Sequence, residues 1–203
     1  MLKYIYMIIS YQGVESFKIT QGDLSLSINP LNSRVNSDIT LISSSAFAGE
    51  GKGFIISGPG EYEVKGVGVK GFLSETAFSG KKINTIYQIS FEGMNLAFLG
   101  ALSNSQLSPE AFESLEDIDI LFVPVGGDIT KNGASEILDP ASAYKLAVSL
   151  EPALIIPMHY DVKTLKQFLK EGGEEDIKPI DKLVVKKKDL EGKEGDIVVL
   201  KEE

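Results

Sequence analysis

Cysteine is absent from the 203-residue chain, and histidine occurs only once, as His159. The lack of cysteine excludes disulfide bonds, thiolate nucleophiles and cysteine-ligated metal sites, and it fits a cytoplasmic protein. A catalytic zinc site takes about three protein ligands, usually histidine, cysteine or carboxylate side chains. The composition therefore leaves little material for a transition-metal site.

Long apolar runs are also missing, since none approaches the roughly 20 residues that cross a bilayer. The opening segment MLKYIYMIIS is apolar but contains Lys3 and no following small-residue cleavage site. We interpret it as a first strand rather than a signal segment. The net charge of −9 disfavours non-specific binding to nucleic acid or anionic lipid. We expect a cytoplasmic protein that binds neither nucleic acid nor membrane.

Short apolar segments predict a fold rich in β-strands. Turns containing glycine join residues 16–20 to 23–28 and residues 84–91 to 94–99, which predicts two hairpins. The segment GEYEVKGVGV predicts one strand interrupted at Gly66 and Gly68. Helices are expected after Asp139 and after Asp161, where an acidic residue can cap the first turn. Only about 11 residues separate the strands near 42 and 54, too few for a crossover with a long helix.

The two halves of the chain, about 1–80 and 81–203, share an order of elements, which indicates an internal repeat within a single domain spanning 1–203. Each half has a glycine-turned hairpin, a strand led by an acidic residue (SDITLIS and DIDILFVP), and a strand ending in a proline-containing loop (GFIISGPG and ALIIPMHY). We predict an α/β protein, a four-layer αββα sandwich with two mixed β-sheets and reduced helix content in the N-terminal half.

This order of segments, with GPGEYEVKGV, NTIYQISFEGMNLAFLG and IIPMHY, resembles the metallo-β-lactamase fold. It looks most like the small branch near the ascorbate-6-phosphate lactonase-like hydrolases, and the resemblance covers nearly the whole chain. Members of that fold bind one or two metal ions, usually zinc, at the edge between the two sheets. The resemblance thus implies a metal-dependent hydrolase.

The metal motif of that family is not matched in this chain. Its His-x-His-x-Asp-His loop falls on the SSSAF segment at 43–47, and its Gly-His falls on Gly13-Val14. Its Asp-Pro falls on Asn29-Pro30, and its bridging aspartate falls on Ala101. Of the usual ligands only the last histidine remains, as His159. We therefore expect a degenerate member that carries no cofactor, although zinc is expected for the family, and we expect no clustered carboxylates near the groove loops.

His159 is the one candidate for a catalytic residue or a remnant metal ligand, since it follows a buried strand at the edge where open α/β sheets bind ligands. A histidine that only bonds neighbouring backbone is the alternative. A serine nucleophile near position 43 would need His159 as its base, and Gly126-Gly127-Asp128 is a candidate anion-binding nest. The residues expected to line the groove are Ser43, Ser44, Ser45, Gly60, Glu61, Tyr62, Ala101, Gly126, Gly127 and Tyr160.

Three functional hypotheses remain open from the sequence. The first is a non-catalytic binding or assembly subunit, acting as a homo-oligomer or paired with an active relative. The second is a residual hydrolase of a small ester, lactone or phosphoester that uses His159. The third is a small-molecule sensor that uses the groove left by the missing metal.

Overall fold

The computed structural model describes residues 6–32, 36–47, 51–126 and 136–203. Its strands are β1 (Met7–Tyr11), β2 (Phe17–Gln21), β3 (Leu24–Ile28), β4 (Ile39–Ile42), β5 (Phe54–Ser57), β6 (Gly60–Val64), β7 (Val67–Glu75), β8 (Ile83–Phe91), β9 (Met94–Phe98), β10 (Ile120–Pro124), β11 (Leu154–Met158), β12 (Leu183–Val185) and β13 (Asp196–Ile197). The α-helices in these ranges are α1 (Pro109–Ser114), α2 (Pro140–Ser149) and α3 (Val162–Glu171), with single 3-10 turns at Ser45–Phe47, Phe78–Gly80 and Lys187–Leu190. Within the described ranges, none of the helices has the length and apolarity needed to cross a membrane.

The strands form two mixed sheets. The first has the order β12-β1-β2-β3-β4-β5, and the second has the order β13-β11-β10-β9-β8-β7-β6. In each sheet an antiparallel hairpin, β2–β3 or β8–β9, is followed by a strand parallel to its second arm. The two sheets with flanking helices confirm the predicted α/β sandwich. All α-helices in the described ranges follow residue 108, as expected from the low helix content of the N-terminal half.

The core has two parts, one on each face of the second sheet. Successive residues along a strand of that sheet pack alternately into one part and the other. Ile120 and Phe122 of β10 face the first sheet, where they are fully buried with the inner side chains of β1 to β5. Leu121 and Val123 face the opposite side and pack under the helices. Burying a side chain of this size stabilises the fold by roughly 1.5–3 kcal/mol. This two-sided burial explains why β10 and β11 have continuously apolar sequences.

The strand predicted across residues 60–69 is in fact a hairpin. β6 and β7 pair antiparallel, with Val64 opposite Val67. Lys65 (φ +52°) and Gly66 (φ +80°) form the turn, and both have the left-handed backbone that a two-residue hairpin loop requires. The prediction of one strand interrupted at Gly66 and Gly68 was wrong because a lysine rarely occupies the first turn position. Both strands precede residue 80 but belong to the second sheet.

An aspartate before β4 connects the start of that strand to the first hairpin. The Asp38 carboxylate accepts hydrogen bonds from the backbone N–H of Ser25 (2.9 Å) and from Lys65 Nζ (2.6 Å). In return, the Asp38 N–H donates to the Ser25 carbonyl (3.0 Å). The acidic residue thus sets the register in which β4 joins β3, with Ile39 opposite Leu26.

The second half contains the same arrangement. The Asp119 carboxylate accepts from the Asn95 N–H (2.8 Å) and from Lys187 Nζ (2.7 Å). The Asp119 N–H donates to the Asn95 carbonyl (2.8 Å), and Ile120 pairs with Leu96. The acidic residue that leads each apolar strand in the sequence repeat therefore has the same structural task in both sheets.

Replacing Asp38 by Asn tests this connection through its pH dependence. The hydrogen bond from Lys65, followed by those from Ser25, lowers the Asp38 pKa from 3.8 to about 2. Because the folded-state pKa is depressed, the carboxylate stabilises the fold above pH 3.8, and this stabilisation disappears as the pH falls through about 2. We expect Asp38→Asn to lower the free energy of unfolding by about 1–2 kcal/mol at neutral pH.

Urea unfolding at a series of pH values measures this difference. The stability gap between wild type and Asp38→Asn should close as the pH approaches the lowered pKa. The matched control is Asp23→Asn, which removes the same charge from an exposed turn of the same hairpin. A gap that stays constant down to acidic pH, or an equal effect of the control, would contradict the assignment.

Candidate functional site

His159 lies directly after β11, at the edge where the two sheets meet. Its ring is almost completely buried, with 5% of the residue exposed, and its backbone has a left-handed φ of +53°. Its N–H donates to the carbonyl of Val14 at 2.7 Å. This bond joins the loop after β11 in the second sheet to the loop after β1 in the first sheet.

Glu15 is the main partner of the histidine ring. His159 Nδ1 and Glu15 Oε1 are 2.6 Å apart, and Glu15 has no exposed surface. The second Glu15 oxygen accepts a hydrogen bond from Asn29 Nδ2 at 3.2 Å. Asn29 Nδ2 also donates to Ser43 Oγ (2.8 Å), and the Ser43 N–H donates to Asn29 Oδ1 (2.9 Å). We call these four residues, His159, Glu15, Asn29 and Ser43, the edge network.

Each member of the edge network comes from a different loop. Glu15 follows β1, Asn29 follows β3, Ser43 follows β4 and His159 follows β11. Asn29 has a left-handed φ of +46°, and asparagine and histidine tolerate this conformation better than most residues. The short polar side chains thus meet because their strands all end at one edge of the sandwich.

Val14 is the strained residue of this edge. Its φ of +53° is unfavourable for a β-branched side chain. Its carbonyl accepts hydrogen bonds from the His159 N–H (2.7 Å) and from the Tyr11 hydroxyl (3.0 Å). These two bonds offset the strain and hold Glu15 in position for His159.

Two phenylalanines cover the edge network. The Phe78 ring meets the His159 ring edge-on, with centroids 4.5 Å apart and an interplanar angle of 89°. Phe47, in the 3-10 turn that follows Ser43, stacks on Phe78 with centroids 6.2 Å apart. Apolar rings therefore lie against the one imidazole of the chain.

The donor set at this edge does not fit a catalytic zinc ion. The edge network contains one imidazole and one carboxylate, which are bonded to each other, while Asn29 and Ser43 offer only neutral groups. Across 6–32, 36–47, 51–126 and 136–203, no cluster of three or more His, Cys, Asp or Glu side chains has the geometry for a metal ion. Ala101 contributes a methyl group, and its N–H donates to Asn84 Oδ1 at 3.2 Å.

The three serines of the 43–45 segment have different environments. Ser43 belongs to the edge network, Ser44 is buried with its hydroxyl accepting from the Ala46 N–H, and Ser45 is exposed. Among the described residues, hydrogen bonds connect Ser43 to His159 by way of Asn29 and Glu15. This arrangement lacks the direct serine–histidine bond that a nucleophile needs.

The other predicted groove residues separate into two groups. Tyr160 lines a cleft of about 570 Å³ next to His159. Gly60, Glu61 and Tyr62 lie on β6, the edge strand of the second sheet. Glu61 and Tyr62 border a different, smaller cleft of about 300 Å³.

The glycines after β10 are only partly described. Gly126 is buried, and a Cβ atom at its position would lie 2.6 Å from the Leu138 carbonyl oxygen, so it permits a close backbone approach. Gly127 and Asp128, the rest of the candidate anion nest, fall outside the described residues.

Glu15 is the functional residue that the sequence analysis missed. It was not among the predicted groove residues, although it directly contacts His159. The available signal was an acidic residue immediately after the first strand, in the segment QGVESF. Phe78 was also missed, since nothing in its local sequence indicates a contact with a residue 81 positions later.

Residues 8–159 match the family model of the beta-lactamase superfamily domain. A crystal structure from Thermotoga maritima is described as a candidate Zn-dependent hydrolase of the metallo-β-lactamase superfamily. It is 28% identical to this chain, has a TM-score of 0.76 and aligns over 96% of this chain and 98% of its own. The chain belongs to the metallo-β-lactamase superfamily.

Two further solved structures, at lower identity, share the fold alone. A candidate metal-dependent hydrolase from Parabacteroides distasonis is 17% identical with a TM-score of 0.63, over 96% of this chain and 94% of that one. A metallo-hydrolase from Ignicoccus hospitalis is 15% identical with a TM-score of 0.63, over 89% of this chain and 99% of that one. These two likenesses show that the fold of the chain is shared.

A series of substitutions at Asn29 separates backbone strain from hydrogen bonding. Asn29→Gly keeps the left-handed backbone but removes the hydrogen bonds of Asn29 with Glu15 Oε2 and with the Ser43 N–H. We expect a loss of about 2–4 kcal/mol in the free energy of unfolding. Asn29→Ala should lose about 1 kcal/mol more, because alanine disfavours this conformation. Urea or thermal unfolding measures both.

Glu92 is the control for the cost of the left-handed backbone alone, since it has φ +49° in an exposed turn. The Ala-minus-Gly difference at Glu92 should match that at Asn29, while Glu92→Gly itself changes stability little. If Asn29→Gly were as stable as wild type, the edge network would contribute nothing to the fold.

Proposed function

We propose that this metallo-β-lactamase-fold protein works without a resident metal, as a binding or assembly subunit rather than a hydrolase. The observation that supports the proposal is the His159–Glu15 bond of 2.6 Å at the edge of the two sheets. One structure of the same fold is described as a candidate metal-dependent hydrolase. Under this proposal the chain is a degenerate member of the small lactonase-like branch that its sequence resembles.

Two side chains of the edge network are of a type that ligates metals, and these two are bonded to each other. A metal ligand must offer a lone pair to the ion, and the proton shared by His159 Nδ1 and Glu15 Oε1 occupies a lone pair of one of these two atoms. Separating them would break a hydrogen bond between two buried polar groups, which costs several kcal/mol. Metal binding would have to overcome this cost, and the described residues offer no other cluster of metal ligands.

The binding role has two structural supports. The cleft of about 570 Å³ beside His159 has the volume of an ordinary small-molecule site.

The second support is an exposed edge of the first sheet. The edge strand β5 leaves Phe54 and Ile55 about half exposed, at 52% and 50%. Exposed edge strands are sites where a second chain can pair. We propose a cytoplasmic homo-oligomer joined at β5, and a monomer in light scattering at micromolar concentration would contradict that assembly.

Metal analysis tests the metal-free state. We expect the purified protein, expressed with zinc, manganese and iron supplied, to hold far less than one equivalent of any of them. Its melting temperature should be unchanged by added zinc or by a chelator, because no folded-state site gains from the ion. A zinc protein of known stoichiometry, processed in parallel, controls for metal loss. One tightly held equivalent that disappears in His159→Ala would overturn the proposal.

The His159–Glu15 pair also favours a second candidate, a metal-independent hydrolase. A carboxylate bonded to Nδ1 orients the imidazole, and an imidazole held in this way can serve as a general base. The substrates to screen are small esters, lactones and phosphoesters. Under this candidate, His159→Ala abolishes turnover, and Glu15→Gln lowers kcat by at least about 100-fold with little change in KM. Turnover that is absent from wild type, or equal in wild type and His159→Ala, would eliminate it.

A further inference from the structure

The cleft beside His159 is bordered by aromatic rings and by carboxylates. Its wall combines the end of β11, the loop after β1 and the C-terminal segment 199–202. Tyr160 and Tyr11 lie side by side there, with centroids 6.1 Å apart, and Phe78 is close by against His159. Aromatic faces attract cations through the negative face of the ring.

Glu202 is the carboxylate of this cleft that remains available to a ligand. Its side chain lies against Gly13, where a Cβ atom would be only 2.5 Å from Glu202 Oε1. In the described part of the chain, no hydrogen bond or ion pair engages its carboxylate. The backbone around it is fixed, since the Glu203 N–H donates to the Tyr11 carbonyl at 3.0 Å.

The charged side chains of Lys201 and Asp161 at the cleft already have partners. Lys201 Nζ pairs with Asp181 at 2.8 Å, so its positive charge is neutralised locally. The Asp161 carboxylate caps α3 by accepting from the Thr164 N–H at 2.7 Å. Because Asp161 satisfies the start of α3, this helix terminus does not provide an anion site. The balance of charge at the cleft is negative.

The tyrosines of the cleft respond to this negative charge. Burial raises the pKa of the Tyr160 hydroxyl, and the carboxylate of Glu202 raises it further. Burial also raises the pKa of Tyr11 above its usual range, with smaller contributions from Tyr160, Glu202 and Glu15. Both phenols therefore stay neutral, and both lie in the field of Glu202.

We propose that the cleft binds a small organic cation, an amine or a quaternary ammonium with a short hydrocarbon body, with the charge between Glu202 and the ring of Tyr160. An anion would face Glu202 and Asp161 without a free cation among the described lining residues. A neutral apolar molecule would leave the Glu202 carboxylate unused. The inference rests on the proposed binding function and specifies the ligand class of that function.

Two isosteric probes test the charge requirement directly. Choline carries a quaternary ammonium, and 3,3-dimethyl-1-butanol has the same shape without the charge. We expect chemical-shift titrations of the ¹⁵N-labelled protein to show choline binding at least about fivefold more tightly, with the affected amides at Tyr160 and in 199–202. n-Butylamine against n-butanol repeats the comparison for a primary amine. Equal affinity of charged and neutral probes in both pairs would overturn the proposal.

Matched variants locate the interaction. Glu202→Gln should weaken choline at least about fivefold and remove its advantage over the neutral alcohol. Glu203→Gln removes the same charge from the next, exposed residue and should leave choline binding unchanged. Tyr160→Phe should keep binding and Tyr160→Leu should lose it. Equal effects of the two glutamate variants, or equal affinity in the two tyrosine variants, would contradict the site.

Metal analysis of the same samples keeps the two proposals separable. A bound metal would contradict the proposed metal-free function. The effect of Glu202→Gln on choline binding would still decide the ligand class. A metal-free protein that does not distinguish choline from its neutral isostere would contradict the ligand class alone.

Discussion

The bond between His159 and Glu15 holds the two sheets together at their common edge. It spans 144 positions of sequence and is buried on both sides. Inside a protein an unpaired polar group is costly, so a buried bond of this kind is stable only if its remaining atoms are also satisfied. Asn29 and Ser43 supply those partners, and this requirement places four loops relative to one another.

The same requirement explains the backbone of the edge. Val14 and His159 both have left-handed φ values, and the His159 N–H donates to the Val14 carbonyl. A network of neutral and paired side chains thus performs a task that a metal ion can perform in such a fold, namely cross-linking loops from both sheets. Under the proposed function, this replacement keeps the sandwich closed at its edge and leaves the adjacent cleft for binding.

Much of the architecture was predictable because it depends on local patterns. Alternating apolar residues around Gly22 and Gly93 predicted the hairpins of both sheets, and Asp139 and Asp161 predicted the starts of α2 and α3. The repeated acidic residue before an apolar strand corresponded to Asp38 and Asp119, which make equivalent bonds. The β6–β7 hairpin was missed because its turn uses Lys65, and α1 was missed because it is only six residues long.

The sequence by itself determined the strand pattern, the sandwich and the shortage of metal ligands, since these follow from periodicity and from counting residue types. Only the tertiary structure showed that Glu15 contacts His159, that Phe78 lies against it and that Glu202 reaches Gly13. The physical reason is that each of these contacts joins residues far apart in the chain. Their encounter depends on which strands end at the same edge, and no local propensity records that.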